Sequence, residues 1–294
     1  MYLPHRNRFC LLLLFTAIGC EEVIEVELPA TEPRLIIDAI IPVDTTQSET
    51  LVSVKVSLTD GFFGTVPLTK LDNIIIETAK ELENGLTEIG FITFPDIANN
   101  FGTYETRVST QFLLEEGVFY TLFVDHDERL YADQTYYQSA PEIDSIVQGQ
   151  GTDNIFEENE IELITSFKDI EEQDNFYIFD YGLGEYATTD DQFYKNQEYS
   201  FSYFLKRDIQ PNSQLEVRIL GADRRFYNYM NLLIEQSEEE LDIFQTPVAT
   251  VRGNVFDIED LDNIDVKDNV GQPDVFPLGY FAIIQENKAT ITIQ

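Results

Sequence analysis

A chain of 294 residues carrying 54 acidic against 18 basic side chains, with a formal net charge of −36, repels polyanions and excludes nucleic acid as a partner. Hydrophobic residues at 43% and aromatics at 13%, including 22 Phe and 15 Tyr, are too many for an acidic disordered tail; they supply one large core or two ordinary ones. Two cysteines give no disulfide framework, and two histidines exclude a histidine-rich metal site.

Residues 1–19 read as a lipoprotein signal peptide. His5, Arg6 and Arg8 form a basic head without an acid, residues 9–18 (FCLLLLFTAI) are apolar apart from Thr16, and small Gly19 precedes Cys20. A bilayer-spanning helix needs roughly 20 apolar residues, so this run is a cleavable leader and not a span. A cysteine directly after the cut marks Cys20 as the lipidation site, because acyl chains on that residue supply the multiple hydrophobic signals of a stable membrane anchor. The position three before the cut is Ala17 where leucine is favoured, and the alternative is an ordinary secretory signal with an incidental cysteine. Cys10 leaves with the leader, so Cys20 is then the sole thiol and no intramolecular disulfide, cysteine metal site or cysteine nucleophile is available.

Residues 20–33 form a tether, after which the hydrophobic period is two. Strands are predicted at 35–41 (LIIDAII), 51–58 (LVSVKVSL), 73–79 (NIIIETA), 87–94 (TEIGFITF), 103–108 (TYETRV) and 118–125 (VFYTLFVD). Val52, Val54, Val56 and Leu58 share one face, and Asp60-Gly61, Asn84-Gly85 and Asn99-Asn100 are turn signals. This spacing over residues 34–140 predicts an immunoglobulin-like or fibronectin-like β-sandwich, without the Cys–Trp–Cys core of true immunoglobulin domains. Pro141, within SAPEIDS (139–145), marks a boundary to a second β-rich sandwich or barrel over 141–294. Its strands are predicted at 161–167, 175–184, 197–205 and 214–220, with one helix at 223–241 that uses Asp223 as N-cap and Phe226, Met230, Leu233 and Leu241 as an apolar stripe. Such a helix plugs the open end of a sandwich in the simplest arrangement. A strand within 243–257 and two last strands at 277–284 and 288–293 complete the chain.

Candidates for chemistry are few. His126 lies in DHDER (125–129), reads as a solvated turn residue, and is the one histidine left for any triad; no GxSxG elbow accompanies it. The run 257–269 offers Asp257, Glu259, Asp260, Asp262, Asp265 and Asp268 as oxygen ligands suited to calcium, but without the EF-hand spacing it reads as a solvated acidic loop. GLGEYA (182–187) lacks the third glycine of a phosphate loop. The tyrosines fit packing within strands better than stacking platforms for sugars or peptides. No catalytic residue, metal ligand or cofactor is assigned, and the 54 acids make no carboxylate pair stand out as a hydrolase would require.

The ordered set LIIDAII, YTLFVDHDERLYADQTY, PEIDSI, DDQFYKNQEYSFSYFL, FYNYMNLLIEQ, FQTPVATVRGNV and PLGYFAI, behind a lipoprotein cysteine, resembles the Bacteroidota outer-membrane lipoproteins catalogued as domain of unknown function 4249. The segment before Gly253-Asn254 departs from the family, reading Thr246-Pro247-Val248-Ala249-Thr250 where a Pro-Pro-Ala-Asn type is common. The resemblance implies an outer-membrane, lipid-anchored protein beside a TonB-dependent transporter, with Glu21 and Glu22 resembling the acids that sort lipoproteins to the outer face. It carries over no catalytic residue and no ligand. The expectation is a non-enzymatic accessory in nutrient uptake; the alternatives are a structural or adhesion-type envelope protein and a carboxylate-based hydrolase.

Overall fold

The computed structural model describes residues 33–59, 66–149, 160–170, 174–182, 184–205, 209–238, 251–259 and 276–294. Cys20, Glu21 and Glu22, the predicted leader and the predicted tether up to residue 32 lie outside them, as do residues 260–269 of the acidic run and Leu241. The first half contributes β1 (Leu35–Val43), β2 (Glu49–Leu58), β3 (Asn73–Glu81), β4 (Thr87–Thr93), β5 (Thr103–Ser109), the single turn α1 (Thr110–Leu113), β6 (Val118–His126) and β7 (Arg129–Thr135). The second contributes β8 (Ile143–Gln148), β9 (Ile161–Lys168), β10 (Phe176–Asp180), β11 (Tyr186–Asp190), β12 (Glu198–Leu205), β13 (Gln214–Ala222), α2 (Arg224–Glu238), the two-residue β14 (Phe256–Asp257) and β15 (Leu278–Thr292).

The chain is mainly β, and it forms two sandwiches around a shared sheet. A seven-stranded sheet runs in the order β11-β10-β13-β15-β1-β2-β5. A five-stranded sheet, β14-β7-β6-β3-β4, closes a core with its β15-β1-β2-β5 side, and a three-stranded sheet, β12-β9-β8, closes a second core with its β11-β10-β13-β15 side. Period two explains the burial: along β1 the odd positions from Leu35 to Val43 point into the first core while Ile36, Asp38, Ile40 and Pro42 face outward. In β10, Tyr177 and Phe179 enter the second core, and Ile178 between them faces the other way.

Each core is drawn almost wholly from one side of Pro141, the exceptions being Val255, Phe281 and Ile283 in the first. The sheet does not stop there, and residues 33–294 form one compact unit. The connection is β15. Leu278–Gln285 pair in parallel with β1, and Glu286–Thr292 pair antiparallel with β13. The two final strands predicted at 277–284 and 288–293 are therefore one strand of 15 residues. The polar triplet Gln285-Glu286-Asn287 looks like a turn in sequence, but it is where the strand changes partner. Gln285 Oε1 accepts from Tyr137 Oη (2.9 Å) and Ala140 N (3.1 Å), and Asn287 Nδ2 donates to the carbonyls of Ala140 (3.0 Å) and Pro141 (2.9 Å). The connection between the sandwiches is thus tied to the crossover.

Before the crossover, β15 has one edge on β1 and another that β13 does not reach. Buried backbone groups there need other partners. Asn254 supplies two, donating to Phe281 O and accepting from Phe281 N, both at 2.7 Å. Gln138 supplies the next pair, donating to Ile283 O (3.0 Å) and accepting from Gln285 N (2.7 Å). Close approach explains the glycine beside Asn254: a Cβ on Gly253 would stand 1.5 Å from the carbonyl oxygen of Gly279. Gly279 itself has φ +89°, and a Cβ there would stand 2.0 Å from Ile37 O, so only glycine fits both positions.

Candidate functional site

The outer face of the seven-stranded sheet is where the fold leaves a site. Asp223 caps α2 as predicted, accepting from Phe226 N at 2.7 Å. The helix does not plug a sandwich end. It lies across the outer sides of β10, β11 and β13, where Phe226 and Met230 pack on Ile178, Ala222, Tyr280, Ala282 and Ile284. Burial of two such side chains contributes roughly 1.5–3 kcal/mol each, which fixes the helix on that face. Leu233, predicted in the same stripe, is exposed. It lines a cavity of about 940 Å³ between α2 and the outward residues of β1, with Leu278, Tyr280 and Ile284 of β15 beneath. A second hollow of about 670 Å³ continues over β1, β2 and β5, sharing Asp38, Ile40, Pro42 and Glu286. Together they make a trough that is apolar beside the helix and charged towards β5.

The charges in the trough are not equivalent. Arg218 pairs with Glu216 (2.8 Å) and lies 3.7 Å from Asp180; Lys288 pairs with Glu286 (2.7 Å) and lies 3.8 Å from Asp44. A hydrogen bond from the Thr46 hydroxyl, helped by Lys288, holds the Asp44 carboxyl below its usual range. Asp38 is different: it is exposed in the middle of the trough and makes no ion pair among the described residues, although Lys55 stands opposite it in the ladder. Burial pushes the Tyr186 and Tyr229 hydroxyls up, and the nearby negative charge of Asp38 adds to both shifts. Tyr280, 4% exposed, carries a hydroxyl without a hydrogen-bond partner among the described residues, against the rule that buried polar groups are satisfied. Its ring packs against Phe226 and Tyr229, with centroids 4.9 and 4.7 Å away.

The residues that the sequence marks for chemistry lie elsewhere. His126 is 6% exposed and not a solvated turn residue. The two-residue turn after it has Asp127 and Glu128 at φ 50° and 63°, the left-handed pair of a tight hairpin, which folds the histidine inward to share a 2.9 Å hydrogen bond between Nε2 and Thr69 Oγ1. Asp257, first in the acidic run, is fully buried, pairs with Arg129 of β7 and accepts from Glu259 N at 3.0 Å. It is a structural ion-pair partner and not part of a solvated loop. Of GLGEYA, Gly182 and Gly184 lie between β10 and β11 at positive φ, and Tyr186 and Ala187 begin β11. Among the described residues no group of three or more His, Cys, Asp or Glu is arranged to hold a metal ion.

Two close carboxyls do occur, at the start of α2. Arg225 lies 3.5 Å from Asp133 of β7 and 3.8 Å from Asp223. Burial raises Asp133 to about 7, outweighing the guanidinium beside it. The arginine between them and the capping duty of Asp223 make this a clamp between β7 and the helix.

A family model described as "Domain of unknown function (DUF4249)" matches residues 21–263. The chain belongs to the DUF4249 family. The match covers β1 to β14 and α2, hence every part of the trough except β15, and the Gly253-Asn254 pair that supports β15. No curated protein matches this family member. Among solved structures, a two-domain fibronectin type-III segment from chicken tenascin is similar at 12% identity, covering 65% of this chain and 91% of that one, with a TM-score of 0.19. No described helix is long and apolar enough to cross a membrane.

The trough itself escaped sequence reasoning. Its one local signal is Asp38, an acid at the centre of the apolar run LIIDAII, where an outward position carries a charge amid Ile36 and Ile40. Arg218, Tyr280 and Glu286 come from other strands and meet Asp38 only through the sheet.

Proposed function

We propose that this DUF4249 chain is a lipid-anchored outer-membrane protein, held by acyl groups on Cys20 and sorted outward by Glu21 and Glu22, that serves as a non-enzymatic binding accessory of a TonB-dependent uptake system. The trough carries the binding part of this reading. It is concave, of the size that takes a small ligand, largely apolar, and edged by a few polar groups. The leader and the cysteine after Gly19 support the address.

Two measurements test the proposal. Cells expressing the chain and fed an alkyne-tagged fatty acid should label it, and Cys20→Ala should abolish both the label and membrane retention. A gentle-detergent pull-down from native outer membranes should return a TonB-dependent channel; a wild-type pull-down without any channel removes the uptake role.

A structural or adhesion-type role has its own support on the opposite side of the molecule. The outer face of the five-stranded sheet exposes Ile89 and Phe91 on edge strand β4, with Phe119 and Tyr136 in edge-to-face contact at 5.4 Å. If Phe91→Glu abolished cell–cell or cell–surface attachment while uptake persisted, this second role would replace the first.

A further inference from the structure

The charge pattern of the trough selects among ligands. Arg218, the cation lining its apolar half, already faces two carboxylates, as does Lys288 in the charged hollow where Lys55 and Arg107 also stand, so the apolar half has little to offer an anion. The carboxylate without an ion pair among the described residues is Asp38, which lines the same cavity as Tyr186 of β11 and Tyr229 of α2. Aromatic faces beside a carboxylate are the ordinary surroundings of a bound ammonium or guanidinium, which gains from the charge and from the ring quadrupoles together. Next to this polar point, Leu278, Tyr280, Met230 and Leu233 offer apolar surface.

We propose that the trough binds a small amphipathic cation, its ammonium or guanidinium at Asp38 in the cavity that Tyr186 and Tyr229 also line, and its apolar body against α2 and the start of β15. A cavity of about 940 Å³ holds a compound the size of a short peptide with one basic side chain. This rests on the trough being a ligand site, and it adds the class of ligand. The general field of a chain with net charge −36 attracts any cation weakly, so the test must separate that field from the site.

The probes are three peptides, N-acetyl-Phe-Leu-Arg-amide and its Gln and Glu counterparts, titrated by calorimetry into the full lipid-anchored chain in phosphatidylcholine nanodiscs at physiological salt. The Arg peptide should bind about tenfold or more tighter than the Gln peptide, the worth of one charge-assisted contact, and the Glu peptide more weakly still. Asp38→Asn should bring the Arg peptide down to the Gln level. Glu88→Gln, the same charge change on distant edge strand β4, should leave it unchanged. Equal weakening by both substitutions, or equal binding of the Arg and Glu peptides, overturns the cation site. Should the Gln peptide bind in a manner sensitive to Met230→Ala but not to Asp38→Asn, the cation proposal fails while the trough survives as a binding site. Binding by none of the three sinks both, and leaves the channel pull-down to decide the uptake role by itself.

Discussion

The two sandwiches solve the same packing problem with different side chains. The first core is aliphatic and β-branched: Ile37, Ile41, Val52, Val54, Ile74 and Ile76 interdigitate between a five-stranded sheet and four strands of the shared sheet, with Tyr104 and Tyr120 as its large fillers. Both tyrosine hydroxyls have partners, Tyr104 accepting from Leu71 N at 2.7 Å and Tyr120 donating to the carbonyls of α1. The second core is a stack of rings. Phe167 stands among Tyr177, Phe179, Tyr194 and Tyr199 at 5.6 to 6.0 Å, Phe179 stacks on Phe201 at 5.3 Å, and Tyr181 on Tyr203 at 4.2 Å. Sheet width accounts for the difference. At about 4.8 Å between strands, the outer strands of a three-stranded sheet are only about 10 Å apart, against about 19 Å for five. A narrow lid covers four strands only if each side chain is large, and a ring buries roughly 150–250 Å². The cost is an open flank: Tyr199, Phe201 and Tyr203 on edge strand β12 remain half-buried.

The sharpest way to break this comparison is Phe167→Ala, which removes the ring that four others touch. It should cost about 3–5 kcal/mol in chemical denaturation, because the neighbouring rings cannot collapse into the space. Since β15 belongs to both sandwiches, the loss should appear in one cooperative transition; two separated transitions would show that the halves unfold independently.

A second experiment probes the clamp that joins β7 of the first sandwich to the helix of the second. In the folded chain Asp133 keeps its proton up to about pH 7, whereas an unfolded aspartate loses it near 4. Between those values the unfolded state binds fewer protons, so this group's contribution to stability falls as pH rises from about 4 to about 7. Wild type should lose on the order of 1 kcal/mol per pH unit over that window relative to Asp133→Asn, read from paired denaturation curves. Parallel curves would place the Asp133 carboxyl in the ordinary range.

The smallest effect belongs to the aliphatic core. Ile76→Val, removing one methylene opposite Ile92 and Leu122, should cost about 0.5–1.5 kcal/mol. A loss as large as that of Phe167→Ala would mean that ring packing is not what distinguishes the two cores.

Much of the element pattern was legible because it is local. Alternation in LVSVKVSL fixed which face of β2 enters the core, and Asp223 announced the start of α2 through a bond spanning three residues. The errors have the opposite character. Gln285-Glu286-Asn287 resembles a turn because three polar residues interrupt two apolar runs, yet the side-chain partners of Gln285 and Asn287 lie near residue 140, on the far side of the sequence. His126 and Asp257 resemble solvated residues because charged neighbours surround them in the chain, but Thr69 and Arg129 draw them inward.

By itself the sequence determined the β class, the capped helix and the family, all properties of contiguous residues or their order. Only the tertiary structure decided that one strand serves both sandwiches, that the helix lies on a sheet face, and that Asp38 stands in a trough without an ion pair among the described residues. Strand pairing joins residues more than 200 positions apart, such as Asp38 and Tyr280, and no periodicity within either segment encodes which edge the other will choose.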